Sequence, residues 1–312
     1  MSRRDALLAA LVALIWGVNF VVIDVGMAGI PPLTFLAVRF ALVVAVAIWF
    51  VPRPRVAWWK VAGVGVFMSL GQFGFLYASL AAGMPAGLAS LVLQAQVALT
   101  ILIAAGALRE LPTGTQLAGV LLGCVGLVIV GAGRGGHVPL QALLLCLGGA
   151  LSWAVGNVIA RAARVGGGLS LTVWSGLVVP VPAILLSLVI DGPAAIGAGL
   201  ASFGVPALLS TVYTAGAATL VGYGIYNGLL ARNPASAVSP WILLAPVFGI
   251  LSAWLVLNEV PNAAEHAGGA LLVVGVLVAG RRRRPVPRAS AATVHYRQED
   301  TAGEGMNPPP AV

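Results

Sequence analysis

The stretches YASLAAGMPAGLAS (77–90) and YNGLLARNPASAVS (226–239) decide how the fold is read. They align at an offset of 149 residues, so that Tyr77 meets Tyr226, Pro85-Ala86 meets Pro234-Ala235 and Ser90 meets Ser239. At the same offset Glu110 meets Glu259, Pro112 meets Pro261, Gly119 meets Gly268 and Gly126 meets Gly275. Near the start of each half the offset is closer to 137, and Trp16 meets Trp153. A difference in loop length reconciles the two. Chance produces matches among Ala, Gly, Leu and Val, but not paired Glu-x-Pro and Pro-Ala elements in one register. The chain therefore reads as two similar halves, 5–132 and 138–280, followed by a polar tail, 281–312.

Composition says where those halves reside. Of 312 residues, 60% are hydrophobic and 8% charged, against about 25% charged in a soluble domain. This excludes an ordinary soluble enzyme, which needs charges to stay dissolved, and a disordered chain. The 40 Gly and 20 Pro lie inside apolar runs, as they do in transmembrane helices. Ten runs approach the roughly 20 residues of a spanning helix: 6–25, 33–51, 61–82, 86–107, 115–132, 138–160, 169–190, 204–230, 235–257 and 263–280. Breakers such as Pro31-Pro32, Gly133–Gly136 and Asp191-Gly192-Pro193 separate them. Pro85 and Pro234 suit a first helical position. The expected fold class is all-α: a polytopic membrane protein of ten transmembrane helices in two inverted five-helix repeats. Five is odd, so the second half enters the bilayer from the opposite side, a plan shared by secondary transporters.

The net charge of +8 has a topological cause. With the N-terminus inside, fifteen cations, from Arg3 and Arg4 to the six of the tail, fall on the inner side, while the outer loops hold Arg134 alone. That asymmetry is the positive-inside pattern. It puts both termini in the cytoplasm and removes any need for a nucleic-acid partner. A cleaved leader fits Arg3-Arg4 but finds no small-residue cleavage site. Sixteen Arg to the single Lys60 suggest GC-rich codons, hence a bacterial inner membrane. The tail reads as disordered. Cys124 and Cys146 give neither a disulfide framework nor a metal spacing; no metal, cofactor or catalytic residue is expected.

Polar residues inside apolar spans are the candidate site. Arg39 lies roughly 9 Å below the outer end of its helix. It reads as a fork for a substrate carboxylate, or as a structural ion pair with Asp24 or a snorkelling side chain; the structural explanation is slightly preferred. Gln72, Gln94 and Gln96 fall near mid-depth and must face a cavity or a neighbour. Gln94 and Gln96 point about 200° apart on a helix, so Gln94, sharing a face with Ser90, is assigned to binding and Gln96 to helix–helix bonding. Trp16 with Asn19, repeated as Trp153 with Asn157, would give an aromatic wall beside an amide for a small zwitterion, or plain packing. Tyr223 is assigned to binding, and Tyr226 and Asn227 to an inner gate. Gly119, Gly123, Gly126, Gly268 and Gly275 read as packing stripes that join the halves, with a homodimer face as the rival. Glu110 and Glu259 are expected to cap the next helix or bind loop N–H groups. His137, His266 and His295 are expected in loops or the tail.

The elements WGVNFVV (16–22), PPLTFLAVRF (31–40), GMPAGLASLVLQAQ (83–96), SWAVGN (152–157) and VGYGIYNGLL (221–230) resemble a ten-helix EamA-type transporter of the drug/metabolite transporter superfamily. The resemblance covers roughly 5–280, and it is nearest to the branch that exports O-acetylserine and cysteine. It implies efflux of small amino-acid metabolites across the inner membrane by a monomer or weak homodimer. Asp24 departs from that pattern. No Asp, Glu or His falls at mid-membrane, so tight proton coupling is not expected. The alternatives are an exporter of another amino acid or of a drug-like solute, or, in other classes, a membrane-embedded enzyme, for which no histidine falls at mid-membrane, or a receptor.

Overall fold

The computed structural model describes residues 1–109, 111–133, 138–162, 168–233 and 235–279. The expectations for Glu110, Arg134, His137, Pro234, His295 and the tail lie outside the described residues. Among the described residues every regular element is helical. In chain order they are α1 (Arg3–Met27), α2 (Pro32–Ala47), α3 (Trp58–Ala81), α4 (Ala86–Val92), α5 (Ala95–Ala107), α6 (Gly114–Gly133), α7 (Leu140–Ala162), α8 (Leu169–Gly176) and α9 (Pro180–Ile190), then α10 (Gly192–Ala201), α11 (Val205–Arg232), α12 (Ala235–Ile242), α13 (Ala245–Leu257) and α14 (Ala263–Ala279). Six stretches are long and apolar enough to cross a membrane: α1, α3, α4 with α5, α6, α7 and α11. The pair α8 and α9, bent by 43°, makes a seventh. Helices α2, α10, α13 and α14 are shorter apolar helices. Together with the family given below, this makes the chain a multi-pass membrane protein.

Local chemistry explains the ends. Gly83 (φ 90°) and Gly192 (φ 82°) close α3 and α9 in the left-handed conformation, which costs glycine nothing. Pro85 is the N-cap of α4 rather than its first helical residue, because its extended ψ of 136° turns the chain into the helix. The stretch after Asp191, read as a loop, forms α10 instead; a Gly-Pro start both stops one helix and permits the next.

Irregularities recur in the register of the sequence repeat. A π-helical segment interrupts α3 at Gly65–Gly71 and α11 at Tyr213–Val221. The chain breaks at Leu93-Gln94 between α4 and α5, and at Leu243-Leu244 between α12 and α13. Arg109 and Asn258 both take positive φ, 54° and 55°. Capping boxes open α6, where Thr113 and Gln116 exchange bonds, and α14, where Asn262 and Glu265 do the same. Each side chain satisfies a helix-end N–H of the other.

Helices α6 and α14 pack antiparallel through their glycines. A Cβ on Gly126 would lie 2.5 Å from the carbonyl oxygen of Gly268, and one on Gly275 2.7 Å from that of Gly119. The contact is reciprocal: each glycine meets the repeat partner of the other. Such self-complementary contact is what a local twofold axis produces. The core joins both halves, with Phe35, Phe40, Leu76 and Tyr77 packed in one cluster with Cys146, Val179 and Ala207.

Candidate functional site

Arg39 stands two turns into α2, after the Pro31-Pro32 start. It is 2% exposed. Its Nη1 donates to the Tyr77 hydroxyl at 2.8 Å and its Nη2 to Thr219 Oγ1 at 3.2 Å. Its Nε has no partner. The guanidinium carbon lies 4.2 Å from the centroid of Phe73 and 5.4 Å from that of Phe40. No ion pair to Asp24 forms among the described residues, and a side chain this buried does not snorkel. The structural explanation offered for Arg39 is therefore corrected. From two turns inside α2 the fork meets α3 and α11, not Asp24 near the C-terminal end of α1.

Around Arg39 is a cavity of about 50 Å³. Its walls are Arg39 and Phe40 of α2, Met68, Ser69 and Phe73 of α3, Thr172 and Ser175 of α8, and Thr219 and Tyr223 of α11. Ser69 comes from the first π segment and Thr219 from the second. Both π segments thus line one chamber. π-bulges leave backbone groups outside the regular ladder and are frequent at functional sites. Here one carbonyl of each segment also accepts from a side chain of another helix. The Trp16 indole N–H donates to the Ala218 carbonyl at 3.0 Å, and Ser152 donates to the Phe67 carbonyl at 2.8 Å. Thr219 also donates to the Thr214 carbonyl at 2.7 Å, leaving its oxygen lone pairs for Arg39. Among the described residues that line the chamber none is acidic.

An aromatic cluster adjoins it. The Trp16 ring lies 5.0 Å from Tyr223 and 5.4 Å from Tyr226. Asn19, one turn along α1 from Trp16, is 7% exposed, and its Oδ1 has no partner. Asn227 has a buried Nδ2 without a partner.

The sequence pattern of the EamA-like transporter family matches residues 4–132 and again 140–281. The chain belongs to the EamA-like transporter family. The chain is 41% identical to a protein of Escherichia coli (strain K12) named "Probable amino-acid metabolite efflux pump", over 89% of this chain and 95% of that one. It is 41% identical to a Salmonella typhimurium protein of the same name, over 93% of this chain and 100% of the relative. A protein of Streptantibioticus cattleyicolor named "Probable terminal-alkyne amino-acid exporter" is 27% identical over 82% of this chain and 85% of its own. A solved structure titled "Crystal structure of protein" superposes with a TM-score of 0.58 at 22% identity, covering 89% of this chain and 96% of the other. That likeness concerns the fold alone.

In this EamA-like transporter the other expected residues divide. Tyr223 joins Arg39 in the chamber, and Trp16 and Tyr226 stack beside it. Gln94 instead lines a separate apolar groove of about 460 Å³ between α5, α6, α7 and α14, together with Gly119, Gly123 and Gly275. Gln96 accepts from Asn157 Nδ2 at 3.0 Å, and Thr100 does so at 3.4 Å, so Asn157 bonds between helices and its amide N–H is already engaged. Ser90 donates to the Gly87 carbonyl at 2.6 Å and faces Gly249 at the crossing with α13. Gln72 starts the regular part of α3, its carbonyl against Gly149 of α7. Trp153 packs on the core. Glu259 caps a helix, but not the next one: its carboxylate accepts from Ala86 N at 2.8 Å and Gly87 N at 2.9 Å, at the start of α4 in the other half. His266 lies in the first turn of α14, not in a loop.

Sequence reasoning missed Tyr77, Thr219, Ser69, Phe73, Thr172 and Ser175. Thr219 had no signal that α-helical spacing could read, because it lies inside the second π segment. Tyr77 was visible as a repeat match. Ser69, Thr172 and Ser175 had none, because isolated hydroxyls are common in apolar helices.

Proposed function

We propose that this chain exports small carboxylate-bearing amino-acid metabolites, of the O-acetylserine and cysteine type, from the cytoplasm across a bacterial inner membrane. The observation that carries the reading is Arg39: a buried guanidinium, its Nε without a partner, facing a chamber with no described acid. A guanidinium at the bilayer centre costs roughly 2.5–3.5 kcal/mol and invites an anion. A substrate carboxylate accepts two parallel N–H bonds from that fork. Relatives named as amino-acid metabolite efflux pumps support the substrate class.

The working architecture is ten spans in two inverted five-helix repeats, 5–132 and 138–280, with both termini and the 281–312 tail cytoplasmic. The antiparallel, reciprocal contact of α6 with α14 supports inversion. So do the paired π segments, helix breaks and capping boxes. Transport proceeds by alternating access: the halves exchange shapes about the chamber on their shared axis. A space of about 50 Å³ holds water rather than a metabolite, which fits a closed form between two open ones. The glycine stripes are consumed inside the chain, which supports a monomer over a homodimer built on them.

The test is cellular. Overexpression of the chain is expected to raise O-acetylserine and cysteine in the medium. Arg39→Ala abolishes the rise, and Gln94→Ala, in the other cavity, leaves most of it. No rise at all, or an Arg39→Ala variant that exports like the parent, defeats the reading.

A further inference from the structure

The chamber carries one full charge, and its remaining polar groups are neutral. Arg39 spends two donors on the hydroxyls of Tyr77 and Thr219 and lies over the Phe73 ring. The other polar walls are Ser69, Thr172, Ser175 and Tyr223. Any ligand entering here meets a cation with no anion beside it among the described residues. At low dielectric a carboxylate is drawn to that cation and an ammonium is repelled by it.

From this we infer that the chamber selects its substrate by the carboxylate and does not read the positive charge of the amine, so that N-acylated amino acids are carried alongside free ones and carboxyl esters are not. The inference rests on the export reading above and narrows it to a substrate class. The amine of a free amino acid has to turn away from Arg39. Behind the chamber's lining, not part of it, lies a neutral acceptor: Asn19 Oδ1, buried and without a partner. Asn19 sits one turn from Trp16, whose ring stacks on Tyr223 of the chamber wall. An amide carbonyl accepts from the N–H of an acylamide as it does from an ammonium. Blocking the amine removes a charge that no residue here answers, and it leaves one N–H for Asn19. Esterifying the carboxylate removes the charge that Arg39 answers. The same logic excludes amines that lack a carboxylate.

The experiment uses the full chain reconstituted in phospholipid vesicles and follows exchange of radiolabelled cysteine under reducing conditions. The competitors are cysteine, N-acetylcysteine and cysteine methyl ester. N-acetylcysteine is expected to compete within roughly threefold of cysteine. The methyl ester is expected to compete roughly tenfold more weakly, or worse, since it forfeits a charge-assisted bond. Arg39→Lys keeps a reduced preference for acid over ester, and Arg39→Gln loses it. An N-acetylcysteine that fails to compete shows that the amine charge is read, and overturns the inference while export stands. An ester that competes like the acid also overturns it, whatever N-acetylcysteine does. Absence of any cysteine exchange by the parent defeats the export reading itself and the inference with it.

Discussion

Replacing Arg39 by Met separates a substrate fork from a structural strut. The charge at its depth costs roughly 2.5–3.5 kcal/mol, and the substitution recovers that. Against it stand the bonds to Tyr77 and Thr219, about 1.5 kcal/mol each for a charged donor, and the contact over Phe73 at 4.2 Å, roughly 1 kcal/mol. Thr219 keeps its own bond to the Thr214 carbonyl, so only the Tyr77 hydroxyl is stranded. The opposing sums nearly cancel, leaving a net destabilisation of about 1 kcal/mol. For a chain of this size that lowers the melting midpoint by a few degrees. Thermal unfolding of the purified protein in detergent, beside export from cells, makes the comparison. The expected pair is a midpoint within about 5 °C of the parent with export reduced tenfold or more. A residue that holds the fold through a buried pair would instead cost about 3–5 kcal/mol when removed. A midpoint fallen by 10 °C or more, with export lost only in proportion to folded protein, refutes the reasoning, as does a variant that still exports.

Other expectations follow from the same contacts. Gly126→Leu puts a side chain where even a Cβ lies 2.5 Å from the Gly268 carbonyl; α6 and α14 must part, at a cost of roughly 1–3 kcal/mol or more, seen as lost folded yield, while Leu121→Ala, at an exposed position of α6, stays within about 0.5 kcal/mol. Glu259→Gln weakens the cap on α4 and is expected to destabilise by about 1 kcal/mol, read as a small drop in melting midpoint with export retained. With no described acid lining the chamber, an imposed pH gradient across vesicles should drive little or no uphill accumulation of cysteine; strong accumulation would contradict this.

Much of the architecture was legible because the physics of a bilayer is coarse. Apolar runs with Gly and Pro breaks between them mark most of the helices. The helix α10 was hidden, because Asp191-Gly192-Pro193 marks a stop as well as it marks a start. The chamber was half legible. Arg39 and Tyr223 stood out as polar groups in apolar helices, yet depth along a helix does not say which neighbour a side chain meets, and Asp24 was the wrong partner to test. Rotation about the helix axis separates Gln94 from Gln96 in the sequence, but it does not say that Gln94 lines the apolar groove while Gln96 bonds Asn157. The π segments shift the face of everything beyond them, so Ser69 and Thr219 could not be joined by α-helical arithmetic.

The account turns on where the substrate carboxylate rests. An experimental structure of the chain with bound O-acetylserine measures it directly. The predicted result is a carboxylate at roughly 2.7–2.9 Å from the Arg39 guanidinium nitrogens, in a chamber widened between α2, α3, α8 and α11. Ligand density in the apolar groove at Gln94, with Arg39 still bonded to Tyr77 and Thr219, would contradict it.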